Sequence, residues 1–298
     1  MPRFSLWHHV VLWLRYLAAA GWCAVASRKT SPVFVELAAD AGNCHYDSLF
    51  WRLMRRTHDA ISCDAKAASQ IALRCWALGD KGQAERIFQT ALAKNPTHPT
   101  LIKRYGAYLV AKGDHAQGLA LLERGLGEEP HDPWALIYLG GAYRALGRLD
   151  DARICCERVI REYGKDWGEA YMGCAFVASD EGQWNEAVGL WLEAIKRLPQ
   201  SATSWYNLGN TLLNLNRFSE AIPAFEKSLR LGWHERHAAL YGIAMAHMEL
   251  GDSRKAREFC EMSLRESPDY DLALDLMKEF EKPAATSGSH LPTTPPAT

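Results

Sequence analysis

Apolar residues between positions 202 and 233 recur at the spacing of two amphipathic helices. The first stripe comprises Trp205, Leu208, Gly209 and Leu212, and the second comprises Ala221, Phe225 and Leu229. A break near 214–217 separates the two stripes. Neither helix can bury its apolar face alone, so we expect each to pack on the other and on neighbouring copies of the same unit.

Two small residues in this stretch have a predicted packing role. Gly209 and Ala221 leave room for two helices to cross closely, where a leucine would hold them apart. The pattern W-x2-L-G-x2-L followed by A-x3-F resembles the tetratricopeptide repeat, a helix-turn-helix unit with a period of 34 residues.

The pattern recurs along the chain. The small residue at the position of Ala221 returns at steps of 34 or 35 residues, as Ala84, Gly118, Ala152, Ala187 and Ala256. A residue that tolerates the left-handed conformation needed between two helices returns as Gly79, Gly113, Gly147, Gly182, Asn216 and Gly251. A closing proline returns as Pro96, Pro130, Pro199 and Pro268. These positions predict six repeats.

The predicted class is therefore all-α, and the resemblance implies an α-solenoid, a right-handed superhelix of helix pairs. The repeats are placed at 65–98, 99–132, 133–167, 168–201, 202–236 and 237–268. The flanking segments are an apolar stretch at 1–30, a degenerate capping helix pair at 31–64, a capping helix at 269–283 and a tail at 284–298. The tail is rich in Ser, Thr and Pro, and we expect disorder there. In the last helix we expect one buried side, made by Leu272, Leu274, Leu276, Met277 and Phe280.

The resemblance also implies that the first helix of each repeat lines a concave groove. Carried over position by position, the candidate partner-binding residues are Lys103, Arg104, Trp134, Tyr138, Met172, Phe176, Tyr206, Asn207, Asn210, Tyr241 and Met245. Aromatic residues, methionine and arginine are enriched in interface cores. The predicted groove is aromatic through its middle and basic towards its N-terminal end, which favours a partner segment that is acidic and apolar. Some of these rings could instead fill gaps between repeats, and for Trp134 and Tyr138 the two alternatives are evenly balanced.

The chain departs from two known groove types of this superfamily. The carboxylate clamp for chaperone tails needs a lysine and an asparagine where the first repeat has Ser69 and Leu73. The asparagine ladder for extended peptides needs one asparagine in successive repeats, and here Asn207 alone matches. Neither type of ligand is therefore predicted.

Composition narrows the function classes. The chain has 298 residues, 48% of them hydrophobic, with a net charge of -1, so no general electrostatic attraction to nucleic acid is expected. Cys75, Cys156, Cys174 and Cys260 fall on core positions of the repeats. No C-x2-C pair occurs, and His234 and His237 have no third ligand nearby in sequence. We predict no metal, no cofactor and no catalytic residues.

The apolar segment at 4–26 allows several interpretations. Its few polar residues would fall on one side of a helix with Tyr16, and tryptophans stand at 7, 13 and 22. This composition is compatible with a spanning helix, an in-plane membrane helix, a signal peptide ending at Ala24-Val25-Ala26, or a helix packed on the first repeats. Membrane association with a cytoplasmic repeat domain is favoured, and a soluble cytoplasmic or an exported protein remains as the alternative.

The predicted function is a non-enzymatic scaffold or adaptor that binds a partner polypeptide in the concave groove, near a membrane. The alternative is an assembly or chaperone-like factor that holds a client protein transiently. Both would use the same groove, so the sequence does not separate them.

Overall fold

The computed structural model describes residues 64–281. In this range the chain forms thirteen α-helices and no strand. The chain divides into two compact units, which we call unit 1 (residues 1–164) and unit 2 (residues 165–298). The predictions for 1–63, including the membrane segment and most of the N-terminal capping pair, lie outside the described residues, as does the predicted tail.

Unit 1 contains three helix pairs in its described part. The helices are α1 (Ala65–Ala77), α2 (Lys81–Lys94), α3 (Pro99–Lys112), α4 (His115–Glu128), α5 (Pro133–Ala145) and α6 (Leu149–Tyr163). A short turn joins α1 to α2, α3 to α4 and α5 to α6, so the two helices of each pair run in opposite directions and pack along their length.

Unit 2 contains three further pairs and a single last helix. The helices are α7 (Gly168–Asp180), α8 (Trp184–Arg197), α9 (Ala202–Asn214), α10 (Phe218–Arg230), α11 (Arg236–Glu249), α12 (Ser253–Glu266) and α13 (Asp271–Glu281). The last helix packs on α12.

Local sequence signals explain where these helices begin and end. Asp64 accepts hydrogen bonds from the backbone N–H groups of Lys66 and Ala67, at 2.9 and 3.1 Å, and so caps α1. Asp80, Asp114 and Asp132 cap α2, α4 and α5 in the same way. At the turn between α9 and α10, Asn216 has φ 57°, and it is the one residue other than glycine with a positive φ in the part of the chain described. The predicted left-handed turn positions are thus confirmed.

The core of unit 1 is built around stacked rings. Phe88 of α2 lies 5.1 Å from Tyr105 and 5.4 Å from Tyr108, measured between ring centroids. The Tyr108 hydroxyl donates a hydrogen bond of 2.9 Å to the backbone oxygen of Lys81. Where α3 crosses α4, a Cβ placed on Gly118 would lie 2.9 Å from the backbone oxygen of Gly106, so this crossing needs glycine.

The core of unit 2 is built around two fully buried rings, Trp191 of α8 and Phe225 of α10. Phe176 meets Trp191 edge-on at 4.8 Å. A Cβ on Gly209 would lie 2.8 Å from the Phe225 ring, and one on Gly242 would lie 2.6 Å from it. Phe225 therefore fills the space that two glycines leave.

Two expectations about buried side chains are wrong. Trp205 was expected in the core stripe of α9, but it is half-buried, and its indole N–H donates to the backbone oxygen of Pro199 at 3.2 Å. Leu272 and Leu274 of α13 are exposed, because Ala273 and Leu276 are the residues that turn towards the core. The other predicted residues of α9, Leu208, Gly209 and Leu212, are buried as expected. In α13, Leu276 is buried, and Met277 and Phe280 pack on the same cluster.

Candidate functional site

A groove lies on the first helices of the three repeats in unit 1. It has a volume of about 690 Å³ and is lined by residues of α1, α3 and α5, together with Asp132 at the start of α5. We call it the unit 1 groove. Of the predicted partner-binding residues, Lys103, Arg104, Trp134 and Tyr138 line it. The sequence did not assign Gln70, Leu73, Arg74, Thr100, Ala107, Tyr108 or Ala135 to the site, although they line it as well.

Aromatic rings form the apolar walls of the unit 1 groove. Trp134 stands at the start of α5 and is 50% exposed, and Tyr138 follows it one helical turn later and is half-buried. On the opposite side, Trp76 of α1 packs edge-on against Tyr108, with 5.7 Å between centroids. These rings therefore offer apolar area to a ligand while their backbones are held by the helices.

Lys103 does not present a free charge to the unit 1 groove. Its side chain is 5% exposed, and its ammonium lies 3.0 Å from Glu129 and 3.1 Å from Asp132. Burial by itself would lower the pKa of this ammonium, but the hydrogen bonds and charges of the two carboxylates outweigh burial and raise that pKa above its ordinary value. The expectation that Lys103 supplies half of a basic end is therefore corrected: its charge is satisfied within unit 1.

Arg104 lines the unit 1 groove and is supported by a contact that the sequence did not predict. One of its terminal nitrogens donates a hydrogen bond of 2.7 Å to the hydroxyl of Ser69 on α1. Ser69 is fully buried, and its hydroxyl donates in turn to the backbone oxygen of Lys66 at 2.8 Å. The guanidinium is thus held in one orientation at the groove wall, and it has further N–H groups for a ligand. No sequence signal identified Ser69 as this support, because the contact joins residues of two different repeats.

In unit 2, Met172, Phe176 and Tyr206 pack on the same buried cluster as Trp191 and Phe225. Tyr206 stacks on Trp233, with 4.5 Å between centroids and 16° between planes. Trp233 is almost fully buried and follows Gly232, whose φ is 84°. The sequence analysis gave Trp233 no role. Its position at the end of a repeat was the one signal that could have pointed to it.

Of the two candidate asparagines of α9, Asn207 is engaged within its own helix. Its side-chain amide donates to the backbone oxygen of Thr203 at 2.8 Å, which leaves its side-chain oxygen as an acceptor. Asn210 lies three residues further along α9 and is half-buried. The pair therefore differs in how much hydrogen-bonding capacity it can offer.

Tyr241 and Met245 of α11 pack on a separate cluster that includes Ala273 and Leu276 of α13. Tyr241 meets Tyr270 edge-on at 5.6 Å, and burial raises the pKa of both hydroxyls. The structure therefore divides the unit 2 candidates into two packed groups, one around Trp191 and one against α13.

Metal and thiol chemistry has little support in the described range. Among residues 64–281 no group of three or more His, Cys, Asp or Glu side chains could hold a metal ion. The described cysteines, which include all four predicted core positions, are free and buried. Burial raises the pKa of Cys75 to about 12 and that of Cys155 to about 11, which disfavours the reactive thiolate.

Within residues 64–281 no helix combines the length and the apolar character needed to cross a membrane.

Two family models described as tetratricopeptide repeat match the chain. One matches residues 109–175, and the other matches 177–235 and 206–271. Together these matches cover more than half of the sequence, and they fall in both units.

Whole-protein comparisons agree with these matches. Protein FlbA of Caulobacter vibrioides is 26% identical over 277 residues, which is 86% of this chain and 43% of that protein. The peroxisomal targeting signal receptor of Eremothecium gossypii is 25% identical over 211 residues, or 59% of this chain and 36% of the receptor. The chain thus spans less than half the length of either relative.

The crystal structure of the APC/C hetero-tetramer Cut9-Hcn1 shares the fold. The TM-score is 0.70 at 16% identity, and the match covers 86% of this chain and 50% of the chain in that structure. The predicted all-α solenoid class is confirmed by this likeness together with the helix content of the described residues.

Proposed function

The chain belongs to the tetratricopeptide repeat family, whose members generally act as non-enzymatic protein-interaction modules, and from this premise we propose that the unit 1 groove binds a segment of a partner protein. The protein would then serve as a scaffold or adaptor. The observation that carries the proposal is a groove of about 690 Å³ in which exposed aromatic walls stand beside an arginine held by a buried serine.

The groove lining suggests the chemistry of the partner segment. Trp76, Trp134 and Tyr138 present large rings, which give contact area at a low cost in side-chain entropy. Arg104 can pair with a carboxylate through two N–H groups, a geometry that lysine lacks. Since Lys103 is neutralised by Glu129 and Asp132, the segment needs an acidic residue placed for Arg104 and an apolar residue placed for the rings.

The predicted partner-binding residues of unit 2 would bind a partner segment through different contacts. Met172, Phe176, Tyr206, Asn207, Asn210, Tyr241 and Met245 carry no charge, so they would contribute apolar contact and amide hydrogen bonds. The name of the peroxisomal receptor relative describes a receptor for a targeting signal. That name supports the recognition of a protein segment by this kind of fold.

The test begins with capture of partners by the full chain, followed by titration of a recovered partner against variants. Trp134→Ala and Tyr138→Ala should each weaken binding by ~1–3 kcal/mol, because interface anchors of this type carry most of the affinity. Arg104→Gln should weaken it and reduce its dependence on salt. Arg161→Gln is the matched control, since the Arg161 side chain is 73% exposed and belongs to α6, outside the groove lining. If all three groove variants bind as tightly as the parent, the unit 1 groove is not the site.

The membrane association favoured by the sequence is also a proposal. Its support is the apolar stretch at 4–26 with tryptophans at positions 7, 13 and 22. We expect the full chain to sediment with membranes, and Leu14→Glu with Leu17→Glu to release it into the supernatant. Recovery of the parent chain in the supernatant, at full mass, would contradict this proposal.

A further inference from the structure

A second recess lies in unit 2 and is separate from the predicted inner surface. It has a volume of about 470 Å³ and is lined by residues of α8, α9 and α10 with Arg217 at the start of α10. We call it the α8–α10 cleft. None of the seven partner-binding residues predicted in unit 2 lines it. The family resemblance assigned no role to this recess.

The floor of the α8–α10 cleft is apolar. Leu192 of α8 is 49% exposed although it is a large aliphatic side chain. Beside it, Trp205 is half-buried, and its indole N–H is held by the backbone oxygen of Pro199. Leu208 and Leu212 lie beneath them and are buried. An apolar side chain from a partner would therefore remove Leu192 and the Trp205 ring from water.

Within the part of the chain described, the charged side chains that line the cleft and have no partner of opposite charge are all positive. Arg217 is neutralised by Glu220 through two hydrogen bonds of 2.8 and 2.7 Å. Lys227 and Arg230 line the same cleft, and within residues 64–281 neither has a carboxylate at ion-pair distance. The lining therefore keeps two positive charges beside an apolar floor, and this combination fits an anionic partner with an apolar side chain.

A proline stands inside one of the helices that line the cleft. Pro223 lies inside α10 and has no N–H, so the backbone oxygen of Ser219 lacks the helical donor that it would have four residues later. Ser219 and Pro223 both line the cleft.

We propose that the α8–α10 cleft is a second docking site, which takes a short acidic protein segment carrying one large apolar side chain. The apolar side chain lies on Leu192 and Trp205, and carboxylates pair with Lys227 and Arg230. The protein then holds two segments at separate places, one in the unit 1 groove and one in the α8–α10 cleft. The cleft does not depend on the unit 1 groove, so either site can fail without the other.

The test uses the full chain and a fluorescein-labelled peptide in which one tryptophan and one leucine are flanked by glutamates. Binding is followed by fluorescence anisotropy, with the same peptide carrying glutamines as the comparison. Lys227→Glu with Arg230→Glu should weaken binding of the acidic peptide about tenfold or more, because attraction is replaced by repulsion. Leu192→Glu should weaken it by a similar factor, and its exposure makes it tolerable for folding, which circular dichroism checks.

Two control variants separate the cleft from general charge and from the first site. Arg161→Glu with Arg265→Glu makes the same change in net charge at residues outside the cleft and should leave the affinity within about twofold, since exposed charges far from a site are screened. Arg104→Gln tests the contribution of the unit 1 groove. Peptide binding to the cleft is the part of the anisotropy change that is still seen with the Arg104→Gln variant and is lost with the Leu192→Glu variant.

Three results would overturn the proposal. The first is acidic-peptide binding that neither Leu192→Glu nor the Lys227 and Arg230 double variant weakens. The second is self-association of the parent chain in sedimentation that the double variant abolishes, which would make the cleft an interface between copies. The third is cleft-dependent binding to vesicles containing phosphatidylserine, with no binding of the acidic peptide.

Discussion

The candidate surfaces of the two units use the same repeat positions for different chemistry. In unit 1, the second repeat places two cations side by side on α3: Lys103, paired with Glu129 and Asp132, and Arg104, held on Ser69. In unit 2, the corresponding helix α9 has Tyr206 and Asn207, with Tyr206 stacked on Trp233. The repeat thus specifies where a helix lies, while the residues that the repeat leaves free decide what the surface can bind.

The cores of the two units differ in a parallel way. Unit 1 packs two tyrosines against Phe88, and one of their hydroxyls is hydrogen-bonded to the backbone. Unit 2 buries Trp191 completely and encloses Phe225 between two glycines. Tyr108 carries a hydroxyl that has a hydrogen-bond partner, whereas Phe225 carries no polar group, so the two rings tolerate substitution differently. Variants at these positions can therefore measure how far the two units differ.

The largest effect is expected at Trp191. Trp191→Ala should lower the free energy of unfolding by ~3–5 kcal/mol, because it leaves a large cavity against Phe176. Trp205→Ala should cost clearly less, because Trp205 is half-buried and its cavity opens to water. Urea unfolding followed by circular dichroism compares the two variants. Equal losses would show that Trp205 belongs to the core after all, as its place in the repeat pattern suggested.

The next largest losses of stability are expected where helices pack closely against Gly118 and Gly209. The two sites should differ in whether a second substitution can restore part of the lost stability. Gly118→Ala and Gly209→Ala should each cost ~1–3 kcal/mol through overpacking. In Gly118→Ala the new methyl meets the backbone oxygen of Gly106, and in Gly209→Ala it meets the side-chain ring of Phe225. Adding Phe225→Leu should therefore offset part of the loss caused by Gly209→Ala, and a double-mutant cycle measures that coupling. Losses that simply add would contradict the contact.

Gly141 provides a control for helix propensity in the same experiments. It lies in α5, and a Cβ placed on it would meet nothing within 4 Å. Gly141→Ala should raise stability by ~0.5–1 kcal/mol, because alanine is the better helix former. A destabilised Gly141→Ala variant would mean that the losses at Gly118 and Gly209 cannot be assigned to overpacking.

The sequence predicted those features that a single residue determines. A left-handed turn needs glycine or asparagine, so Gly113 and Asn216 could be placed from their residue types alone, and the structure confirms them. The buried cysteines followed from the same repeat frame, as did the helix pairs. The family and the fold class were accessible for the same reason, since both depend on residues that recur at a fixed spacing.

The sequence could not separate neighbours whose roles depend on distant residues. Lys103 and Arg104 are adjacent, yet one is neutralised by carboxylates that stand 26 or more residues further along the chain and the other is held by a serine 35 residues earlier. In α13 the expectation followed residue type: Leu274 was counted as buried because it is a leucine, whereas Ala273 shares a helical face with Leu276 and is the buried residue. These features depend on packing between repeats, which one repeat pattern does not contain.

A smaller loss of stability than at Trp191 or at the glycine crossings is expected for the ion pairs of Lys103, which the uncharged unit 2 candidates lack. Lys103→Met keeps the apolar stem but removes the ammonium, and it should cost ~1–2 kcal/mol at neutral pH, since Glu129 and Asp132 are partly exposed and can be hydrated after the change. Lys112→Met is the matched control. Lys112 also contacts a carboxylate, that of Glu85 at 2.6 Å, but its side chain is 38% exposed, so a smaller loss is expected.

The difference in the free energy of unfolding between the parent and Lys103→Met should change with pH in a definite direction. The folded protein raises the pKa of Lys103 above its ordinary value of 10.5, so the charged form is favoured by folding. The stabilisation is then fully present below that ordinary value and is lost as pH rises through the higher folded-state pKa. Burial raises the pKa of Tyr105 and Tyr108, so these hydroxyls also destabilise the fold in alkali, but they do so in both proteins and cancel in the difference. Urea titrations from pH 7 to about pH 11 should therefore show a difference that is constant at first and shrinks above about pH 10.5. A difference that grows with pH would mean that the two carboxylates do not hold the Lys103 charge.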